Sequence, residues 1–330
     1  MLRTGISLLS LLMLTACNGG SEESTETQTS DDSASTSDGS GGETGTTVAG
    51  TESGSTGGET TETTTGEPGE LRGLLNFTYY SADAASDEPL LGVAGAYRME
   101  DFLIDDIYAL VGLQLHQQAP ADAVDTVEEF APLPFVWGKS DSWIAAGNGI
   151  RFSNAEVGSG LACLTMADDT YPLYLGAESD AFDPDCAPDP ATWSPETTYD
   201  LALYGGELFD DLFVAAAVKT PAAFEVSAPD LSVYNLEVDT KVPLEVAWTA
   251  GADPDARIVI RLWDQYGQGL VANAADDGSF SIPAANLAAL SGGPGFLTVA
   301  RERSRTINFS AGSVDALTRY ETWGYVDLLE

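Results

Sequence analysis

The sequence predicts an all-β protein in which two β-sandwich domains stand behind a disordered tether. Three observations point there. Residues 17–70 consist almost wholly of Ser, Thr, Gly, Glu and Asp, without one aromatic or basic residue. From Leu71 onward, short apolar runs with period-2 alternation recur, the pattern of strands with one face buried. Gly, Pro and Asp pairs interrupt these runs at short spacing, and helical periodicity is hard to find.

Residues 1–16 read as a signal peptide. A single cationic Arg3 precedes an apolar stretch from Ile6 to Leu14, too brief to span a bilayer and closed by small residues at a cleavage point. The run Leu14-Thr15-Ala16-Cys17 resembles the lipobox of bacterial lipoproteins. That resemblance implies cleavage before Cys17 and lipidation of Cys17 by diacylglyceryl and N-acyl groups, with the membrane as a partner through this lipid anchor. Asn18 stands where the best-known sorting rule places the Asp that retains lipoproteins at the inner membrane. An outer-membrane location is therefore expected, on the periplasmic side or at the cell surface.

Residues 17–70 bury too little apolar surface to offset the backbone entropy of ordering, so they read as a tether. As a flexible linker of about 53 residues it has an end-to-end distance of about 40 Å, and full extension approaches roughly 180 Å. The tether holds twelve acidic residues and no basic ones; residues 71–224 hold twenty-five against five, and residues 225–330 fifteen against seven. The formal charge of −39 opposes binding to nucleic acid and to anionic lipid surfaces. It favours solubility, cations or a basic partner.

Residues 71–224 form the first expected β-rich domain. Leu71 to Tyr80 opens with alternation, and Ile107, Ala109, Val111, Leu113 and Leu115 make one apolar face. With Cys17 assigned to lipid, Cys163 and Cys186 remain as the only pair among three cysteines, and in an oxidising compartment a disulfide is expected. Closing a loop of about 24 residues stabilises by roughly 3 kcal/mol on the chain-entropy account. The Pro-rich loop around Cys186 carries Asp180, Asp183, Asp185 and Asp189, oxygen ligands of the kind a structural calcium ion takes. The alternative is an acidic loop stiffened by Pro184, Pro188 and Pro190. Trp143 and Trp193 lie near acidic or Gly-rich turns and are candidate ligand-binding residues, because a flat ring stacks on the apolar face of a sugar. Core packing accounts for such rings more simply.

Residues 225–330 show the strand pattern more clearly. In Val242 to Thr249, the apolar Val242, Leu244, Val246 and Trp248 alternate with Pro243, Glu245, Ala247 and Thr249. Arg257 to Trp263, Gly269 to Ala275 and Ser279 to Ile282 follow, the last after the turn Asp276-Asp277-Gly278. Pro283 and the AANLAAL run fit one short helix. Phe296 to Arg303 and Tyr320 to Leu328 complete a series whose spacing fits an Ig-like or fibronectin-like sandwich of about 100 residues. The stretches VPLEVAWTAG, DDGSFSIPAANLAAL and FLTVARER resemble a C-terminal Ig-like β-sandwich domain that recurs in lipoproteins of predatory soil bacteria. The resemblance implies a sandwich and an envelope location, and it transfers no catalytic residue. Those domains often carry a Cys before the Asp-Gly turn; LVANAADDG has none, so no second disulfide is expected.

Arg301, Arg303 and Arg305 share one strand face, with Arg319 nearby in sequence, and form the only basic concentration in the chain. Either a partner carrying carboxylates or phosphates docks there, or these groups offset acidic strands such as the one bearing Glu245. Leu297 and Val299 have the same parity, so either a bulge re-aims the strand or burial ends near Ala300.

No catalytic residue is assigned. His116 is the one histidine, so a His-rich zinc site cannot be built, and no Gly-x-Ser-x-Gly elbow accompanies it. Carboxylates are too abundant for any pair to be singled out as acid and base. The reading is a membrane-anchored envelope lipoprotein acting as a non-catalytic binding or structural module, with a glycan, peptidoglycan or an envelope protein as partner. The alternatives are a carboxylate-based, glycan-active secreted hydrolase and a calcium-stabilised carbohydrate-binding module. No cofactor other than calcium is implied.

Overall fold

A computed structural model describes residues 71–81, 88–98, 124–130, 144–145, 147, 149–167, 171–176, 189–204, 211–309 and 312–330. The strands run β1 (Leu71–Tyr80), β2 (Leu90–Arg98), β3 (Thr126–Phe130), β4 (Gly149–Asn154), β5 (Gly158–Ala167), β6 (Tyr171–Gly176), β7 (Thr198–Leu203) and β8 (Leu212–Lys219). They continue with β9 (Val226–Ala228), β10 (Leu236–Asp239), β11 (Leu244–Trp248), β12 (Arg257–Asp264), β13 (Gly269–Ala274), β14 (Ser279–Ile282), β15 (Gly293–Phe309) and β16 (Gly312–Leu329). A short 3-10 turn at Pro190–Thr192 and one helical turn, α1 (Ala284–Leu287), are the helical elements among these. The protein is all-β, as the alternating pattern implies. The apolar face Ile107 to Leu115 and His116 lie outside the described residues.

Thirteen of the described strands join in one sheet, in the order β3-β13-β12-β15-β16-β1-β2-β6-β5-β4-β7-β8, with β10 also on β16. The strands β14-β11-β9 make a second sheet. Neighbours are antiparallel except that β1 and β10 both run parallel to β16. The organising element is the hairpin of β15 and β16, paired from Gly293↔Leu328 to Phe309↔Gly312 in one unbroken register. At 3.2–3.4 Å per residue this ribbon is roughly 55 Å long, enough to run through two hydrophobic cores.

The second core lies between the two sheets. Val246 and Trp248 of β11, Ile282 of β14 and Leu287 of α1 pack on Ile258, Ile260, Leu262, Leu297, Val299 and Val326, which makes this half a two-layer β-sandwich. In the first core, Leu75 and Phe77 of β1, Ile150 and Phe152 of β4 and Tyr199 and Leu201 of β7 pack together. Its facing layers belong to one sheet that rolls until β8 meets the β15–β16 hairpin. There Arg305 Nη1 donates to the carbonyls of Ala216 (2.7 Å) and Ala217 (2.9 Å), and Thr318 Oγ1 donates to that of Lys219 (2.8 Å).

Residues cross between the halves in both directions. Ile307, Val314 and Ala316, from the far end of the hairpin, belong to the first core, whereas Val127 of β3 packs on the second. Stacked rings also bridge them. Phe152 stacks on Phe77 at 4.7 Å, Phe77 meets Trp193 at 4.9 Å, and Trp193 stacks on Tyr79 at 5.8 Å. Tyr79 then stacks on Tyr320 at 5.2 Å, and Tyr320 meets Phe224 of the second core edge-on at 5.6 Å. Such pairs add to the area they bury.

Gly312 begins β16 at φ 156°, opposite Leu71, and a Cβ there would collide with the Leu71 carbonyl. Gly312→Ala is expected to cost about 1–3 kcal/mol, read as a lower urea midpoint at unchanged slope. Gly92→Ala, whose Cβ would meet only ordinary contacts, serves as the reference and is expected to move the midpoint little. Equal shifts would contradict this account of the hairpin end.

Candidate functional site

The arginine row lies on the inner face of the hairpin, between the two cores. Val299, Arg301, Arg303, Arg305 and Ile307 point inward in succession, opposite Thr322, Tyr320, Thr318, Ala316 and Val314. The register holds without a bulge, so apolar burial stops at Val299 and resumes at Ile307. Between them the row contacts backbone carbonyls and carboxylates.

Arg301 is 1% exposed and makes the densest set of contacts. Its Nη2 donates to Asp276 Oδ1 at 2.8 Å, and its Nε lies 2.8 Å from Asp276 Oδ2 as an ion pair. Nη2 also donates to the Thr249 carbonyl (2.6 Å) and Nη1 to the Ala223 carbonyl (3.1 Å), while the guanidinium lies 4.9 Å from the Phe224 ring centre. Trp248 Nε1 donates to Asp276 Oδ1 at 3.0 Å, so the same carboxylate orients a core indole. Gly251 leaves room for this pair, because a Cβ there would collide with Asp276. Arg303 bridges Asp253 and Asp255 in the turn before β12, and Arg305 clamps β8 as described. A planar fork with fixed donors suits such simultaneous bonds better than a lysine ammonium.

On the opposite face of the same ribbon lies a second charged cluster. Glu302, 2% exposed, accepts from Arg257 Nη2 at 2.7 Å and Arg319 Nε at 2.6 Å, with Arg261 Nη2 at 3.5 Å. Burial alone would raise the Glu302 carboxyl, but Arg319, Arg257 and Arg261 hold it far below the usual carboxylate range. Glu321 is buried beside the same arginines. Burial pushes its carboxyl up, Arg261 and Arg319 pull it down, and the net shift is upward. Burial, followed by the charge of Glu321, likewise raises the Tyr80 phenol. These groups have lost their water and face one another across β12, β15, β16 and β1, a geometry suited to fixing strand register. Glu321, 4% exposed, presents almost no surface to a substrate.

The sequence-derived site residues separate. Trp193 is 7% exposed in the first core, with Phe77 and Tyr79 against its ring, an arrangement that fits packing. Asp189 caps the 3-10 turn, its Oδ1 accepting from Ala191 N at 2.8 Å. Cys163 is half-buried on β5. Cys17, Trp143, Asp180, Asp183, Asp185 and Cys186 lie outside the described residues. Among the described residues no group of three or more His, Cys, Asp or Glu side chains is gathered to hold a metal. Asp276, Glu302 and Arg261 did not stand out in the sequence. A lone Arg261 inside the apolar run RIVIRLW, and a lone Glu302 between two arginines, were the available signals.

No family model matches the chain, and a comparison with curated proteins finds no match. Solved structures give weak likenesses. A tetra-tandem repeat from the extending region of a large adhesion protein is 13% identical, with a TM-score of 0.18, over 77% of this chain and 49% of that one. A Ca2+-stabilised adhesin from an Antarctic bacterium is 11% identical, with a TM-score of 0.18, over 80% of this chain and 50% of that one. A structure of a 1.5-MDa bacterial ice-binding adhesin is 9% identical, with a TM-score of 0.19, over 79% of this chain and 66% of that one. This chain thus spans about half the length of the first two. At these TM-scores the likenesses carry no functional argument.

The charged cluster makes stability pH-dependent. Because the Glu302 carboxyl titrates lower in the folded chain than in the unfolded one, its contribution is complete above the ordinary carboxylate range and is lost as pH falls toward the folded value. Glu321 has the reverse sense, since its raised carboxyl detracts from stability as pH rises through the interval above its unfolded value. Glu302→Gln is expected to cost about 3–5 kcal/mol at neutral pH, because it removes a buried negative charge that Arg319, Arg257 and Arg261 face. It is also expected to flatten the loss of stability on acidification, followed by urea unfolding from about pH 7 to pH 3. A wild-type acid limb in that variant would contradict the assignment.

Proposed function

We propose that the chain is a lipid-anchored envelope protein of the outer membrane, in which an acidic tether presents a rigid β-structure that acts by binding or by structural support rather than by catalysis. The observation that carries this reading is the engagement of the buried charges. Asp276 and Glu302 are taken by arginines. Asp264, 2% exposed, accepts from the backbone of Tyr266, Gln268 and Ser291. Among the described residues, these three buried carboxylates hold turns and strands in place.

Two further elements belong to the same reading. Lipidation of Cys17 rests on the lipobox run and gives the molecule its membrane partner. A disulfide between Cys163 and Cys186 would clamp the acidic, Pro-rich loop, and it is the one pairing left among three cysteines once Cys17 carries lipid. A glycan, peptidoglycan or an envelope protein is the partner class that fits an acidic display module.

Labelling of cells with radioactive palmitate is expected to mark the protein, and Cys17→Ala is expected to abolish the label and release the protein from the membrane fraction. Unchanged fractionation of that variant would overturn the anchoring. Intact mass of the mature protein is expected to show no free thiol at Cys163 or Cys186.

A further inference from the structure

The end of the β15–β16 hairpin remote from Leu71 carries an aromatic strip on the outer face of the large sheet. Trp263 of β12 lies 4.8 Å from Phe296 of β15, Phe296 lies 5.3 Å from Tyr325 of β16, and Tyr325 lies 5.4 Å from Tyr234, measured between ring centres. Exposure is greatest at the Tyr234 end of the strip. Phe296 is 8% exposed, Trp263 and Tyr325 are half-buried, and Tyr234 is 65% exposed in the loop before β10. Tyr234 is held tilted against the supporting Tyr325 ring, with most of its own surface open.

The register sets acceptors beside these rings. Asp327 follows Tyr325 on the same side of β16, and Glu237 of β10 is its parallel partner. The neighbouring Leu236, Val238, Val326 and Leu328 face the second core, so Glu237 and Asp327 face outward with the strip. Carboxylate oxygens accept hydrogen bonds, and each aromatic ring offers a flat apolar face. A pyranose chain has the complementary surface, with C–H faces to stack and hydroxyls to donate. A polyanionic chain is disfavoured by the two carboxylates and by the formal charge of −39. Leu71, the first residue of β1, pairs with Gly312 at the opposite end of the ribbon, so the strip lies at the end of the ribbon remote from Leu71.

We propose that Trp263, Tyr325 and Tyr234, with Asp327 and Glu237, form a binding site for an uncharged polysaccharide. This inference rests on the display-module reading above and supplies its ligand class.

The test is native affinity electrophoresis of the full-length mature protein through gels containing hydroxyethyl cellulose, laminarin or glycol chitin, with alginate as the polyanionic control. Retardation by at least one uncharged polymer and none by alginate is expected. Tyr234→Ala is expected to weaken that retardation roughly tenfold, while Tyr266→Ala, which removes another exposed ring (70% exposed), leaves it unchanged. Passage of the wild type without retardation in all three uncharged gels, or equal retardation of Tyr234→Ala and wild type, would overturn the site. A photo-crosslinker at position 234 that captures a protein rather than a polysaccharide would overturn it as well. Membrane fractionation of the same Tyr234→Ala variant reports on the anchor separately, so loss of the glycan site and failure of the display reading are distinguishable.

Discussion

At the middle of the long hairpin, residues 300–305 and 316–321 carry guanidinium groups on both faces of one sheet. Inward, Arg301 ties together Asp276, Thr249 and the connector at Ala222 and Ala223. Outward, Arg319 meets Glu302 with Arg257 and Arg261 alongside. The hairpin is thereby locked where the two cores meet. Replacing a buried ion pair with apolar residues is often neutral in stability, whereas removing one partner is costly. The network therefore constrains register more than it adds net stability. A one-residue slip of β15 would turn Glu302 toward the inner row and send Val299 and Leu297 outward, because strand side chains alternate faces.

That constraint shapes what the folded region is able to do. The parallel seat of β1 on β16 and the clamp of Arg305 on β8 depend on the same ribbon. With these contacts in place, the first core is enclosed by a rolled sheet and the second by two packed sheets. The result suits a molecule that holds surfaces at a fixed geometry. The buried charges described hold strands and turns in order, and the outward-facing aromatic strip lies at the end of the ribbon remote from Leu71.

Much of the β-structure was legible in the sequence, and the exceptions have a physical cause. β1, β12 and β14 fall within a residue of where alternation places them, since their inward residues are Leu, Ile, Val and Phe. β11 starts later than expected, at Leu244, after a turn in which Lys241 N donates to Asp239 Oδ1. The larger miss is the centre of the hairpin. The strand expected to end at Arg303 continues to Phe309, and its partner begins at Gly312 rather than Tyr320. Polar residues occupy both faces there, so hydrophobic periodicity vanishes although the ladder continues. The arginine row was visible as a row, but its acceptors were not. Asp276 and Asp253 lie in turns distant in sequence, and the Ala216, Ala217 and Ala223 acceptors are backbone carbonyls that leave no trace in a pattern of side chains. Trp193 shows the converse: a ring in an acidic, Pro-rich context that the fold carries into its core.

The central claim is that one hairpin, locked at its middle, makes the two cores a single cooperative structure. Native-state hydrogen exchange tests it most directly, by comparing the Phe77 amide of β1 in the first core with the Ile260 amide of β12 in the second under increasing denaturant. The account predicts that both exchange only through the same global opening, with equal free energies and equal denaturant dependence. Exchange of Phe77 through a separate, lower-energy opening, while Ile260 stays protected, would contradict it.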